Sequence, residues 1–176
     1  MQTSRDVSSA TIRAIRSRDV PAIERLVAEL QDFERGLDDR ILPGSAMAAS
    51  YTRGMLAACA SQAGAIFVAD VGGEVVGFAT VRARVPSEEL DEPPGTYALL
   101  SDLVVAAPHR GFGIGRALVA AAEYHARQHR ATELRVAVLA RNAVARGVYA
   151  EAGFTPYLEV LSKPLGGPRR PAGDSG

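Results

Sequence analysis

The sequence has little from which a disulfide framework or a metal centre could be built. It contains one cysteine, Cys59, and three histidines in 176 residues. One cysteine excludes an internal disulfide, and the cysteine and histidine residues do not have the spacing of a zinc site. We therefore predict that no metal is bound, and we interpret Cys59 as a small buried apolar residue.

The sequence also lacks an excess of charge of one sign and long hydrophobic runs. Twenty basic residues balance twenty acidic ones, so the chain offers no positive field for a phosphate backbone, which argues against nucleic acid as a partner. No apolar stretch approaches the roughly 20 residues of a membrane-spanning helix. The N-terminus is polar and does not resemble a signal peptide. We expect no membrane segment and a cytoplasmic location.

Apolar residues, by contrast, are plentiful enough for one globular domain. They make up 47% of the chain, which suits a single continuous core over residues 11–163. From Gly166 the composition turns to Gly, Pro and Arg, a mixture that buries too little apolar surface to offset the entropy of ordering. We predict that residues 1–10 and 164–176 are disordered.

Hydrophobic periodicity and turn residues predict an alternation of strands and helices. Gly72-Gly73 accepts the positive φ angles of a tight hairpin turn between two of the strands, and Asp19 and Asn142 are expected to cap helices. The expected elements are a strand at 11–15, a helix from Asp19 to about Gly36, a helix at 46–61, strands at 65–71, 74–84 and 97–105, a helix from Ile114, a strand at 134–138, a short helix from Asn142 to Gly153 and a last strand at 158–162.

Residues 85–96 form a segment rich in proline and in acidic side chains. The acidic residues are Glu88, Glu89, Asp91 and Glu92, and the segment is expected to be an exposed loop. This loop and the pair Asp38-Asp39 could attract a cationic substrate, although a solvated charged loop is the commoner explanation.

A glycine-rich turn lies where the strand at 97–105 passes into the next helix. Gly111, Gly113 and Gly115 alternate with other residues, so several backbone N–H groups can converge without side chains between them. The helix dipole and Arg110 add positive potential, and the expected ligand is therefore a diphosphate. The turn by itself is a weak signal, because close packing of a strand on a helix also selects glycine.

Two common nucleotide-binding motifs do not fit this turn. A P-loop closes with Gly-Lys-Ser/Thr, whereas this turn closes with Gly115-Arg116-Ala117. A dinucleotide-binding fold requires Gly-x-Gly-x-x-Gly and an acidic residue at the end of the next strand, and this sequence has neither.

The segment from Arg110 to Gly115 resembles the coenzyme-A loop of the GNAT superfamily of N-acetyltransferases, Gln/Arg-x-x-Gly-x-Gly/Ala. The segment from Asn142 to Phe154, with Tyr149 and Gly153, resembles the second signature of that family, and residues 100–105 resemble its central strand. The resemblance covers residues 11–163. It implies an α/β (α+β) fold with a mixed, mostly antiparallel, twisted sheet of six to seven strands, about four flanking helices, and a V-shaped cleft between the central strand and the strand after it.

The resemblance also implies roles for individual residues. Acetyl-CoA would be bound around a bulge in the central strand near Leu103, Val104 and Val105, by the glycine-rich turn and by the second signature, and a backbone N–H would stabilise the oxyanion. Tyr149 would protonate the departing thiolate, as a phenol of comparable pKa. Helix capping by Asn142 and ordinary packing of Tyr149 are the structural alternatives. The cofactor-binding residues implied in this way are Leu103, Val104, Val105, Arg110, Gly111, Phe112, Gly113, Ile114, Gly115, Arg116, Asn142 and Tyr149.

A catalytic base is harder to assign. Some members of the family have a glutamate immediately before the aspartate of the central strand, where this sequence has Ser101, which cannot hold a proton near neutral pH. Asp102 is the nearest carboxylate and is our candidate, but it enters the cleft only if the bulge turns it there. A structural role for Asp102 is at least as open, and other members need no dedicated base.

From these observations we predict an N-acetyltransferase that moves an acetyl group from acetyl-CoA to a primary amine of a small molecule or peptide, by direct attack in a ternary complex. A homodimer is an expectation of the family. The alternative is a GNAT-like domain that binds acyl-CoA as a sensor without turnover. Ser101 favours this alternative, whereas Asn142 and Tyr149 oppose it.

Overall fold

A computed structural model of the chain describes residues 10–87, 95–163 and 165. The acidic loop residues Glu88, Glu89, Asp91 and Glu92 lie outside the described residues, and so does most of the two termini for which disorder is predicted. The described elements are β1 (Thr11–Ala14), α1 (Val20–Leu37), α2 (Gly44–Ser61), β2 (Ala65–Val71), β3 (Glu74–Pro86), β4 (Thr96–Val105), α3 (Ile114–Gln128), β5 (Leu134–Val136) and α4 (Ala143–Glu151).

The strands form one sheet in the order β1-β2-β3-β4-β5. The first four strands pair antiparallel, and β5 pairs parallel to β4 after the crossover through α3. At the β2–β3 hairpin, Gly72 and Gly73 have φ angles of +60° and +91°, as the sequence predicts. The mixed, mostly antiparallel sheet of the expected fold is confirmed.

Helices cover both faces of the sheet. On one face, α1 and α2 bury Ile23, Leu26 and Met55 against Phe78 and Val104 of the sheet. On the other face, α3 and α4 pack on a second cluster, whose buried members are Ala69, Val76, Ala79, Val81, Leu100, Ile114, Leu118, Val119, Ala122 and Tyr149. No helix of the described ranges combines the length and apolar character needed to cross a membrane.

The sheet has five strands in the described part of the chain, not the six to seven expected. The predicted strand at 158–162 is wrong, because residues 154–163 have no regular secondary structure. Leu158 and Val160 are 73% and 85% exposed. The neighbouring β5 has only three residues, so it offers a short edge, and apolar side chains alone do not make a strand where a pairing partner is missing.

The predicted cap of α1 is also wrong. Asp19 stands at the start of the helix, but its side chain makes no capping hydrogen bond. Its carboxylate accepts hydrogen bonds from the Arg13 guanidinium, at 2.7 and 3.1 Å, and from the Arg16 N–H, at 2.7 Å. The Asp19 carboxylate therefore binds Arg13 of β1 and the backbone before the helix, and it does not cap α1. The helix continues one residue past Gly36, to Leu37.

Candidate functional site

The strand β4 separates from β5 partway along its length. The last pair between them is Leu100 with Val136, and β4 continues to Val105. Beyond Leu100, the described residues give β4 no partner on this side, so its backbone edge opens into a gap. The family resemblance places the V-shaped cleft at this position.

A bulge in β4 lies at Ser101. Thr80 of β3 pairs with Asp102, whereas the next residue, Val81, pairs with Leu100, which leaves Ser101 as the extra residue. The resemblance placed the bulge near Leu103, Val104 and Val105, and the structure corrects this position.

The bulge changes which way the side chains of β4 face. In a regular strand, residues two apart share a face. Here Leu100 packs in the cluster beneath α3, whereas Asp102 contacts Tyr51 of α2 on the opposite face. The bulge therefore turns Asp102 toward α2, and its entry into the cleft stays a prediction.

The predicted cofactor residues of β4 lie directly after Asp102. Val104 is buried between the sheet and α1, and Leu103 and Val105 pack partly buried toward α3. Their side chains therefore face opposite sides of the sheet. What the three residues share is backbone along the open edge of β4, which is the part that the expected role uses.

The glycine-rich turn has positive φ angles at two of its glycines. Gly111 and Gly113 have φ angles of +83° and +80°, which disfavour residues with a Cβ atom. No atom lies within 4 Å of the place where a Cβ would stand at either position, so this side of the turn is open. The first-turn amides of α3 have no acceptor within the helix and remain available.

The other residues of the turn differ in exposure and constraint. Ile114 is buried and anchors the helix to the sheet, whereas Phe112 is 58% exposed and Arg116 is also exposed. A Cβ at Gly115 would meet Val148 and Val105 only at 3.8 and 4.0 Å. Gly115 is therefore less constrained than the two glycines before it.

The Arg110 side chain contacts both β4 and α1. Its Nε donates to the Val105 carbonyl at 2.8 Å, and its guanidinium lies 3.5 Å from Glu29 of α1 and 5.5 Å from the centre of the Phe33 ring. Glu29 also accepts from the Ala107 N–H at 3.0 Å. The sequence predicted that Arg110 contributes its charge and its backbone to a diphosphate site, but it did not predict Glu29, which binds both the Arg110 side chain and the start of the turn.

The second signature forms α4 as expected. Asn142 is buried, and its Oδ1 accepts from the Ala145 N–H at 3.0 Å, which is an N-cap. Tyr149 is 8% exposed and packs edge-to-face on Phe154, with ring centres 5.6 Å apart. Both structural alternatives for these residues are realised, and their contacts with a cofactor stay predictions.

The Tyr149 hydroxyl is held in its protonated form. Burial raises the pKa of Tyr149 to about 12, and the negative charges of Glu34 and Asp102 contribute to the rise. A phenol with such a pKa keeps its proton at neutral pH, as a proton donor must.

Asp102 is a buried carboxylate with one free oxygen. Its Oδ1 accepts a hydrogen bond from the Tyr51 hydroxyl at 2.6 Å, and its Oδ2 is buried and accepts none. Burial raises the pKa of Asp102, and the nearby hydroxyls of Tyr51, Ser101 and Thr80 oppose that rise. In the structure, the Ser101 hydroxyl donates to the Thr80 carbonyl at 3.4 Å and the Thr80 hydroxyl to the Met55 sulfur at 3.2 Å.

Two residues that the sequence did not single out belong to this site. Burial, followed by the charge of Asp102, raises the pKa of Tyr51 and also that of Glu34 on α1. No local motif marks either residue, because α1 and α2 meet β4 only in the folded chain. The charge of Asp102 also raises the pKa of Tyr149, so groups on three helices respond to this carboxylate.

A cavity of about 260 Å³ opens beside Asp102, between α2 and the sheet. Its walls are Tyr51, Gly54, Met55, Ala58, Arg82, Ser101 and Asp102. Within the described ranges, no group of three or more His, Cys, Asp or Glu side chains is arranged to hold a metal ion.

Comparison with known sequences gives a family match over most of the chain. A sequence profile of the acetyltransferase (GNAT) family matches residues 27–154. Aminoglycoside N(6')-acetyltransferase type 1 from Klebsiella aerogenes is 36% identical over 95 residues, which make up 53% of this chain and 61% of that protein. The aligned part is therefore less than two thirds of the relative's length.

Solved structures share the fold. A transcriptional regulator from Bacillus halodurans C-125 matches with a TM-score of 0.68 at 22% identity, over 89% of this chain and 100% of that chain. AAC(6')-Iy in complex with the bisubstrate analog CoA-S-monomethyl-acetylneamine matches with a TM-score of 0.66 at 20% identity, over 89% and 97% of the two chains. At these identities the likeness concerns the fold.

Proposed function

The chain belongs to the acetyltransferase (GNAT) family, and from this membership we propose that it transfers an acetyl group from acetyl-CoA to a primary amine of a small molecule. A small-molecule acceptor is supported by the similarity to a protein that is named an aminoglycoside N-acetyltransferase. The observation that carries the proposal is the family match over residues 27–154, and it is supported by the edge of β4 that has no described pairing partner after Leu100 and by the buried Tyr149, whose pKa the charge of Asp102 helps to raise.

The acetyl-CoA side of the site uses mainly backbone. In the proposal, the amides from Gly111 to Arg116 bind the pyrophosphate, supported by the positive φ angles of Gly111 and Gly113 and by the open space above them. The edge of β4 from Leu103 to Val105 holds the pantetheine arm and directs an N–H at the thioester oxygen. Asn142 closes the cleft from α4.

The chemical step needs an acceptor for a proton of the ammonium and a donor for the thiolate, and we assign these roles to Asp102 and Tyr149. Asp102 accepts one proton from the ammonium of the acceptor, and the neutral amine then forms a C–N bond with the thioester carbon while the C–S bond breaks. Tyr149 gives its proton to the thiolate and recovers one from the amide nitrogen. The products are the amide, the free thiol of CoA and one proton on Asp102, which passes to solvent.

Supporting this assignment, the environments of the two groups match their roles. A raised pKa makes a carboxylate a better base, and a pKa of about 12 keeps Tyr149 in the acid form. A homodimer and a cytoplasmic location stay predictions.

The proposal is tested by binding and turnover on the purified chain. Titration calorimetry is expected to show binding of both CoA and acetyl-CoA, and thiol release from acetyl-CoA is expected to accelerate with a primary amine. Absence of binding to both would refute the proposal. Binding without turnover by any primary amine would refute the transferase and leave an acyl-CoA-binding domain.

A further inference from the structure

The approach to the glycine-rich turn is bound to α1 through one carboxylate oxygen. Glu29 Oε1 accepts from the Ala107 N–H at 3.0 Å and from the Arg110 guanidinium at 3.5 Å. Ala107 begins a single 3₁₀ turn that ends at His109, directly before Arg110. The one oxygen therefore contacts both ends of the short segment that leads from β4 into the glycine-rich turn.

The Arg110 guanidinium has partners on two elements. Its Nε donates to the Val105 carbonyl of β4 at 2.8 Å, and its Nη2 donates to Glu29 of α1. Its central carbon lies 5.5 Å from the centre of the Phe33 ring. Phe33 follows Glu29 by four residues, so the two side chains lie on the same side of α1. Arg110 therefore connects the end of β4 to α1.

The Val105 carbonyl belongs to the open edge of β4. The Ala106 N–H donates to the Val76 carbonyl at 2.8 Å, and in an antiparallel ladder the backbone groups of the adjacent residue point the other way. The Val105 carbonyl therefore faces away from β3, toward the side on which β4 has no described partner after Leu100. Arg110 thus fixes the glycine-rich turn relative to this edge.

Glu29 also compensates the charge of Arg110. The two groups form an ion pair at 3.5 Å, and their side chains are 34% and 40% exposed. Two opposite charges at this separation produce a much weaker potential at a distance than a lone guanidinium does. Ion pairs with this exposure contribute little to folding stability, so the main consequence of the contacts is the position of the turn.

We propose that Glu29 is a positioning residue for the cosubstrate, which acts through Ala107 and Arg110 to hold the glycine-rich turn where its amides bind the diphosphate of acetyl-CoA. Arg110 connects β4 to α1 in this arrangement and does not bind the diphosphate by its charge. This rests on the proposed acetyl transfer and adds to it the residue of α1 that sets the affinity for the cosubstrate.

Variants of Glu29 give the two roles of Arg110 opposite signs. Glu29→Ala removes both hydrogen bonds, whereas Glu29→Gln keeps an oxygen for the Ala107 N–H and loses the charge. We expect calorimetry to show an affinity for CoA about tenfold lower in Glu29→Ala, the contribution of a hydrogen bond to a charged group, and a smaller loss in Glu29→Gln. If Arg110 bound the diphosphate by charge, removal of the neighbouring carboxylate would raise the affinity in both variants.

Variants of Arg110 test the same contacts from the other side. Lysine keeps the positive charge, but an ammonium does not have the fork of donors that reaches Val105 and Glu29 together. We therefore expect Arg110→Lys to lower the affinity for CoA about as much as Arg110→Met does. Because Glu29 and Arg110 act through a shared contact, the loss in the double variant Glu29→Ala/Arg110→Met should be smaller than the product of the two single losses.

S-acetylpantetheine distinguishes positioning of the turn from a general structural role, because it has the thioester and lacks the diphosphate. The ratio of kcat/KM for acetyl-CoA to kcat/KM for S-acetylpantetheine should fall about tenfold in Glu29→Ala. A variant that is only less stable loses activity with both substrates equally and keeps the wild-type ratio. The control is Glu24→Ala, also on α1 and roughly 140° around the helix from Glu29, which should keep the ratio and the affinity for CoA.

The outcomes separate this inference from the function on which it rests. The inference is overturned by an unchanged or higher affinity for CoA in both Glu29 variants, by wild-type affinity in Arg110→Lys, or by an unchanged ratio of the two thioesters in Glu29→Ala. Each of these results leaves acetyl transfer intact. A wild-type protein that binds neither CoA nor acetyl-CoA overturns the proposed function itself.

Discussion

At the scale of single residues, the proposed role of Tyr149 as proton donor depends on its hydroxyl group alone. Removing its hydroxyl in Tyr149→Phe leaves the ring packing on Phe154 in place and removes the proposed proton donor. We expect kcat to fall by roughly 10²- to 10⁴-fold, the usual contribution of a general acid, with little change in the affinity for CoA. Thiol-release kinetics and calorimetry measure the two quantities.

The matched control is Tyr124→Phe, since Tyr124 is 65% exposed on α3. We expect it to keep the wild-type kcat. Equal kcat in Tyr149→Phe and in the control would show that Tyr149 only packs. Because the pKa of Tyr149 is about 12, its ionisation should produce no fall in the rate between pH 6 and pH 10.

Tyr51 acts through Asp102, and its role is best measured by pH. Its hydrogen bond stabilises the ionised carboxylate and so lowers the pKa of Asp102, while burial and Glu34, Arg82 and Tyr149 remain unchanged in Tyr51→Phe. The pKa of Asp102 should rise further in this variant. We therefore expect the acidic limb of the kcat/KM profile to move to higher pH.

A purely structural Tyr51 gives a different result. In that case Tyr51→Phe lowers kcat/KM by the same factor at every pH, and the midpoint of the acidic limb stays where it is in the wild type. A pH titration of both proteins with one amine separates the two cases, because only the position of the limb reports the ionisation of Asp102.

At the scale of elements, the sequence predicted what local chemistry determines. Alternation and the Gly72-Gly73 pair predicted the β2–β3 hairpin, and Asn142 and Gly153 predicted both ends of α4. The expected strand at 158–162 failed because a strand depends on a partner that local pattern does not reveal. The cap at Asp19 failed for the same reason, since Arg13 binds its carboxylate from another element.

The turn before α3 gives a prediction at this scale. Alanine at Gly113 must adopt a φ of +80°, which costs roughly 1–2 kcal/mol for a residue with a Cβ atom. The alternative, relaxation of the turn, moves the amides of the proposed pyrophosphate site. We expect Gly113→Ala to lower both the melting temperature and the affinity for CoA.

Gly36→Ala is the control for this change. Gly36 lies inside α1, and a Cβ there meets no atom within 4 Å. Alanine in a helix is favoured over glycine by roughly 0.5–1 kcal/mol, so we expect this variant to be slightly stabilised with unchanged affinity for CoA. Wild-type affinity in Gly113→Ala would show that the turn does not bind the cosubstrate.

At the scale of the whole molecule, the candidate site depends on contacts between distant parts of the chain. The sequence predicted Asp102 and Tyr149 because each lies in a contiguous motif. It did not predict Tyr51, Glu34 or the cavity, because α1 and α2 approach Asp102 only after the sheet has formed. The position of the bulge was missed as well, since it is set by the pairing of β3 with β4 and not by the sequence of β4 alone.

Stability toward acid should depend on a second set of long-range contacts, away from the site. The Arg13 guanidinium of β1 binds Asp19 at 2.7 Å and Asp70 of β2 at 2.8 Å. Hydrogen bonds from Arg13 hold the pKa of both carboxyls below the ordinary value, which is about 3.9 in an unfolded chain. The folded state therefore binds fewer protons at these positions than the unfolded state does.

The sign of the pH effect follows from linkage. Carboxyls with a lowered pKa contribute their full stabilisation above the unfolded value, and the contribution is lost as the pH falls through the folded values. We expect Arg13→Met to lower the melting temperature strongly at pH 7 and by progressively less below about pH 4, where protonated Asp19 and Asp70 no longer need a cation.

The control is Arg53→Met, at an exposed position of α2, whose melting temperature should stay close to that of the wild type from pH 7 to pH 3. A difference between Arg13→Met and the wild type that is constant from pH 7 to pH 3 would mean that Arg13 stabilises β1 by packing and not by charge.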